Sequence, residues 1–212
     1  MPATPRVYRS ELRGAQAAAT RAKVLDAAAD EFTENGYSGT TLGAIAAAAG
    51  VSVETVKLQG AKHELLLAAW ERRLGAPEDR SAMLDDPDFR AQTRAIPDDE
   101  LIPSLVAMAA DISRRSHGLW ATLSAVSRTE PALRGTVESL QERRLAEFAL
   151  LVEELDARGM LRGDQPHDVR AASIAFLASA EGYRQLVHDS GLSHEAYCAW
   201  LTHALERIVL DG

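Results

Sequence analysis

The chain has 212 residues, a net charge of −8 and a single cysteine, Cys198. Its length suffices to bury a core without disulfides, and one cysteine cannot form an internal bridge, which suits a reducing compartment, the cytoplasm. Aromatic residues make up only 5% of the sequence, while Ala, Leu, Glu and Arg dominate, so helices are favoured over strands.

The opening "MPATPRVYRSELRG" lacks the apolar run of a signal peptide, and apolar stretches such as 44–49 are far too short to span a membrane. Residues 1–16 read as a flexible basic arm. A first helix is predicted from about Ala17 to Asn35, with Val24, Leu25, Ala28 and Phe32 recurring at three and four residues and Gly36 as its stop. Thr40 or Thr41 can cap a second helix over 42–49, which Gly50 ends. Ser52 can cap a short third helix beginning near Val53, and a fourth is predicted from about Lys62 to Leu74.

Residues 76–99 are rich in proline and acids and read as a junction holding at most a short helix. Apolar-periodic segments follow at about 99–115, 118–128, 131–157 and 166–189, and a last helix is predicted over 193–210. The expected fold is all-α with about nine helices: a three-helix head carrying a helix-turn-helix, and a C-terminal helical bundle. The expected domains are the arm, a head over 17–70 and a body over 71–212.

Charge is unevenly distributed between these parts. Residues 1–75 hold nine Lys or Arg against eight Asp or Glu, a net of +1, whereas 76–212 hold fourteen against twenty-three, a net of −9. Arg6, Arg9, Arg13, Arg21 and Lys23 face only Glu11, which concentrates positive field at the N-terminus. A mildly basic head on an acidic body suits a protein that meets DNA at one end, although a solvated arm explains the charge alone equally well.

Between Thr41 and Lys57, Ala46 allows two helices to approach, Gly50 allows a sharp turn, Val51 fills the corner and Ser52 starts the next helix. The spacing suits a helix presented to a DNA major groove, and by itself also fits an ordinary helical hairpin. The longer string "RAKVLDAAADEFTENGYSGTTLGAIAAAAGVSVETV", followed by Lys62, Leu65 and Leu66, resembles the N-terminal domain of TetR-family transcriptional regulators. "SAEGYRQLVHDSGLSHEAYCAWLTHAL" looks like the final helices of an actinobacterial-type branch of that family.

The resemblance implies that Thr40 and Thr41 cap the second helix and meet phosphate, and that Ser52 caps the recognition helix. It also implies that Val53, Glu54, Thr55 and Lys57 face the groove and that Lys62 contacts phosphate. Glu54 can accept from a cytosine amino group and Thr55 can touch a thymine methyl. Family members usually carry a Tyr-x-x-Phe pair after the recognition helix, where this chain has "VKLQGAK", one residue shorter. Lys57 stands near the tyrosine position and Gln59 replaces the phenylalanine, so Leu58 is expected to supply the lost packing. Retained DNA binding is the favoured expectation, and a paralogue without operator binding, acting as a small-molecule-binding or protein-interaction module, is the alternative.

In the body, Val169, Ala180, Tyr183, Val187, Tyr197, Leu201, Ala204 and Ile208 form apolar stripes. The family makes a homodimer interface of such helices, while periodicity alone fits an intrachain core equally well. Met108, Ile112, His117, Trp120, Leu123, Phe148, Val152 and Phe176 lie on helices that surround the ligand cavity in relatives; His117, Arg114 and Arg115 could orient a polar group. No second histidine follows His63-Glu64 at zinc-protease spacing, and no phosphate-binding glycine loop or nucleophile elbow occurs. The expectation is therefore a cytoplasmic, ligand-responsive regulator, a repressor in the first instance, and not an enzyme. Its partners would be an operator in double-stranded DNA, an unidentified small-molecule effector and a second copy of the chain, with no membrane, metal or cofactor.

Overall fold

A computed structural model describes residues 6–75 and 87–211, with side chains from residue 14 in the first stretch and from 88 in the second. Two compact units divide at Gly75 and Ala76. Every regular element among the described residues is helical: α1 Arg6–Gly39, α2 Leu42–Ala49, α3 Val53–Lys57 and α4 Lys62–Leu74 in the first unit, then α5 Pro87–Ala95, α6 Asp98–Ser127, α7 Pro131–Ala157, α8 His167–Leu177, α9 Ala180–Tyr183 and α10 His194–Leu205 in the second. Short π-helical segments, Arg184–Asp189 and Glu206–Leu210, continue α9 and α10. The all-α expectation holds, with ten α-helices among the described residues where about nine were expected in the chain.

The first unit packs around α1. Val24, Leu25, Ala28 and Phe32 are buried there against Leu65, Leu66, Ala69 and Trp70 of α4 and Ile45 and Ala46 of α2. Two exposed ion pairs tie α1 to α4: Arg72 clamps Asp26 through bonds of 2.8 and 3.0 Å, and Arg73 meets Asp30. Helix α1 starts at Arg6, so residues 6–16, expected as an arm, are helical. At its other end Gly36 has φ 64°, ψ −179°, which breaks the helical path where the sequence placed its end.

The second unit has one core, in which Leu101, Val106 and Ala110 of α6 meet Val152 and Leu155 of α7, Ala171 and Ile174 of α8, and Tyr197 and Leu201 of α10. Helix α6 runs unbroken through Gly118, where two segments were expected. Buried Ser113, Ser116, Leu119 and Trp120 carry its inward face through that point, and tertiary burial outweighs a glycine cost of about 1 kcal/mol. The expected single helix over 166–189 is instead divided after Leu177, because the Ser179 side chain accepts from Gly182 N at 3.0 Å and starts α9 afresh.

Two arginines close the lower end of this unit. Arg158 donates to the carbonyls of Thr93 and Ile96 at 2.9 and 3.0 Å, and to Glu154 and Asp98, fastening the end of α5 to the end of α7. Arg170 is 1% exposed and donates to the carbonyls of Gln165, Arg162 and Val209, so one guanidinium satisfies acceptors from the loop before α8 and from the chain's last turn. Arg170→Met would fill similar volume and strand those carbonyls. The expected loss is about 3 kcal/mol of stability, read from urea unfolding, and a loss below about 1 kcal/mol would show that water satisfies them instead.

Candidate nucleic-acid interface

The turn between α2 and α3 is built by backbone bonds. Gly50, at φ 66°, ψ 37°, donates to Ala47 O at 3.3 Å, and Val51 N donates to Ala46 O at 3.0 Å. These are the paired bonds of a Schellman end, which requires a left-handed residue and therefore glycine. Thr41 caps α2, accepting from Ala44 N at 3.0 Å, and Ser52 caps α3, accepting from Thr55 N at 3.1 Å. Both caps are exposed, as contact with a phosphate demands. Thr40 is not: it is 1% exposed, and its hydroxyl donates to the carbonyls of Gly36 and Glu31 at 2.8 and 2.9 Å. The expected phosphate contact at Thr40 is therefore corrected to a structural role, holding the α1–α2 turn in which Gly36 sits.

Helix α3 turns Val56 wholly inward and leaves Glu54, Lys57 and Leu58 exposed, with Val53 and Thr55 half-buried. Thr55 Oγ1 lies 3.0 Å from Ser52 Oγ, so part of its bonding capacity is used within the cap. Leu58 does not supply packing; it is 85% exposed. At 100° per residue, Val56 is the one position of α3 that reaches the core, and Leu58 stands on the far side of the helix.

What closes the shortened segment is polar. Arg21 Nη1 donates to Gln59 O at 3.3 Å, and Glu64 Oε2 accepts from Ala61 N at 2.7 Å, capping α4. Gly60 has φ 141°, a backbone conformation that strains any L side chain, and a Cβ there would also press on the Glu64 carboxylate, 2.8 Å from Oε2. Lys62 holds its ammonium 4.4 Å from the Tyr37 ring centroid, and burial lowers its pKa. Glu64 was legible as half of a capping box three residues after Ala61. Arg21 was not, because its partner is remote in sequence. Arg6, Arg9 and Arg13, whose charge motivated the DNA reading, lie outside the described side chains.

The body candidates separate by exposure. Leu123 and Val152 are wholly buried, Trp120 is buried with its indole N–H donating to Glu181, and Met108, Ile112, His117 and Phe148 are half-buried. The Arg144 guanidinium stands 5.4 Å from the Phe148 ring centroid. Phe176 is 79% exposed and so does not line an internal cavity, which removes it from the ligand set. A cleft of about 520 Å³ opens between Asp98, Arg158, Met160, Arg162 and Arg207, and one of about 270 Å³ between Ser124, Arg128, Arg134 and Gln141. None of the ligand candidates lines either. Arg114 and Arg115 both pair with Asp111.

Of the interface candidates, Ala180, Tyr183, Tyr197, Leu201 and Ala204 are buried within the chain itself, so these positions are corrected to the intrachain core. Val187 is half-buried, while Val169 and Ile208 are exposed, as are Phe176 and Trp200.

Three histidines join an aromatic cluster in the body. His117 and His188 lie with ring centroids 4.2 Å apart, tilted by 40°, and His194 Nδ1 lies 3.0 Å from the Tyr183 hydroxyl. Burial, then the neighbouring His188 and Arg184, push the His117 pKa below its usual value. The folded body thus binds fewer protons here than the unfolded chain. Stability is retained above the unfolded value near pH 6.5 and falls as pH is lowered from there toward the depressed folded value. His117→Asn should flatten the decline in unfolding temperature between about pH 7 and 5, whereas parallel profiles for variant and parent would assign the decline elsewhere.

Residues 24–59 match the model of "Bacterial regulatory proteins, tetR family". No curated protein matches the chain. Among solved structures, a protein from Saccharomonospora viridis described as a transcriptional regulator, in complex with choline, is similar at TM-score 0.71 and 21% identity, covering 92% of this chain and 100% of that one. A TetR-family regulator from Mesorhizobium loti is similar at TM-score 0.62 and 21% identity, over 91% and 94% of the two chains. The regulator FadR from Bacillus subtilis, in complex with stearoyl-CoA, is similar at TM-score 0.66 and 17% identity, over 88% and 96%. Residues 24–59, which match the tetR-family model, thus sit within an all-helical fold similar to that of a TetR-family transcriptional regulator.

Proposed function

We propose that this chain is a ligand-responsive transcriptional regulator, a repressor, acting in the cytoplasm as a homodimer on a palindromic operator. The observation that carries the reading is the helix-turn-helix: two capped helices joined by the Gly50 turn, with Glu54 and Lys57 exposed on the second. Residues 17–70 would read DNA, with Thr41 and Ser52 at phosphates, Lys57 and Lys62 as point charges on the backbone, and Val53, Glu54 and Thr55 toward base edges. Two heads related by a two-fold axis would fit half-sites in successive major grooves.

Residues 71–212 would dimerise and sense the effector. Val169, Phe176, Trp200 and Ile208 are apolar and exposed on α8, α10 and the π-helical segment that follows, where a second copy would cover them. Met108, Ile112, Trp120 and Phe148, with His117 as a polar group, are the side chains we assign to the effector site. Similar structures hold ligands as different as choline and stearoyl-CoA, so the fold accommodates several ligand classes. The effector would bind one head spacing more tightly than another, shifting the population away from the spacing that fits the operator.

Selection of bound sequences from random duplexes by the full-length protein tests the reading. A palindrome is the expected outcome; a folded dimer that enriches nothing would instead favour a head without operator binding, to which the shortened "VKLQGAK" segment points. On the selected duplex, Lys57→Ala or Lys62→Ala should each reduce the salt dependence of log K by about one unit, and an unchanged slope would remove that lysine from the phosphate contacts. Phe176→Glu, at a site too exposed to disturb the fold, should weaken dimerisation by roughly tenfold or more in sedimentation equilibrium. An unchanged dissociation constant would place the interface elsewhere.

A further inference from the structure

The recognition helix carries one feature that its resemblance to relatives does not account for. Leu58, at its C-cap, is 85% exposed, the most exposed of the large apolar side chains in the described chain. Its backbone is still helical, φ −68°, ψ −17°, and its N–H donates to Glu54 O at 3.1 Å, so Leu58 extends the face on which Glu54 lies. At 100° per residue both stand about 160° around the helix from Val56, the residue that is wholly buried. Glu54 and Leu58 therefore form the outermost ridge of α3, one carboxylate and one isobutyl group, about 6 Å apart along the axis. Helix α3 has five residues and is only about 7.5 Å long, so both ends fit inside a major groove about 12 Å wide.

We infer that Leu58 is a specificity-determining residue that reads the 5-methyl group of a thymine in the major groove, one or two base steps from a cytosine whose amino group Glu54 accepts. The inference rests on the DNA-binding reading above. The chemistry favours this occupant over bare solvent or phosphate. An isobutyl group gains nothing from phosphate, and the thymine methyl is the one apolar group that base edges present in the major groove. The carboxylate beside it is repelled by phosphates and is satisfied only by a base donor, which in that groove means cytosine N4 or adenine N6. The separation of the two side chains is just under two base steps of about 3.4 Å each, which sets how far apart the two bases lie.

The test uses the full-length protein and the duplex it selects from random sequence, with each thymine of a half-site replaced in turn by uracil, which removes only the methyl. Wild-type protein should lose about fourfold in affinity per half-site at one position, the worth of one buried methyl group. Leu58→Ala should bind the thymine duplex more weakly by a similar factor and show no uracil effect at that position. Leu58→Met, which keeps an apolar reach, should retain the methyl preference. If wild type and Leu58→Ala respond alike to uracil at every position, Leu58 does not read the methyl and the inference fails while DNA binding stands. If wild-type protein, shown to be folded, selects no sequence at all, the DNA-binding reading fails and takes this inference with it.

Discussion

The left-handed turn at Gly50 is the constraint on which the head depends. Helix α3 is five residues long, too short to hold its own shape in water, so its direction is imposed from outside. The Gly50 and Val51 N–H groups bind back to the carbonyls of Ala47 and Ala46 in the last turn of α2, and this fixes where the chain leaves that helix. Ser52 then fixes where α3 starts, and Val56 anchors it to the core with one side chain. With one anchor and one cap, the remaining positions of α3 are free to face outward. A reading helix needs that arrangement: the residues that determine its position are few and the residues that meet a ligand are many.

The segment after α3, which the resemblance reads as one residue short, is held without a phenylalanine wedged beneath the helix. In its place stand a guanidinium on a carbonyl, Arg21 to Gln59; a carboxylate on an amide, Glu64 to Ala61; and an ammonium over a ring, Lys62 to Tyr37. The first links α1 to the segment after α3, and the third links α4 to the turn before α2, so the shortened loop is held from two sides. Such contacts are directional and solvent-accessible, unlike a phenylalanine wedged under a helix, and each contributes modestly. They leave Leu58 unneeded in the core, which is why an apolar residue can stand at the surface of this head.

The head was largely legible in the sequence because its signals are local. Caps at Thr41 and Ser52 lie within three residues of the amides they satisfy, and the glycines at 36, 50 and 60 stand where positive φ is required. The helix boundaries of α2 and α4 follow from these cues. Two errors there share a cause: Thr40 and Thr41 are chemically equivalent, and Leu58 and Val56 are both apolar, so composition could not say which of each pair faces inward. The answer depends on the direction of α1 relative to α2 and on the phase of a five-residue helix, neither of which has a sequence signature. Arg21, Arg158 and Arg170 were illegible for a related reason, since each binds carbonyls, which every residue has.

The body shows how a regular period can mislead. Val169, Phe176 and Tyr183 recur every seven residues, yet the first two are exposed and the third is wholly buried. The interruption lies between them. Ala178 leaves the helical path at φ −88°, ψ 19°, and Ser179 restarts it in an extended conformation, so the phase before the break is not carried past it. The segment after Tyr183 then runs in π-helical geometry, with Ser190 N bonded to Gln185 O five residues back, which shifts the phase again. A heptad written across this region joins two different faces. Only the portion on α8, Val169 and Phe176, still points to solvent, whereas Tyr183 turns into the ring cluster with Tyr197 and His194. Sorting an apolar stripe into core and interface thus needs the breaks in the helix, and here the break is set by one serine hydroxyl.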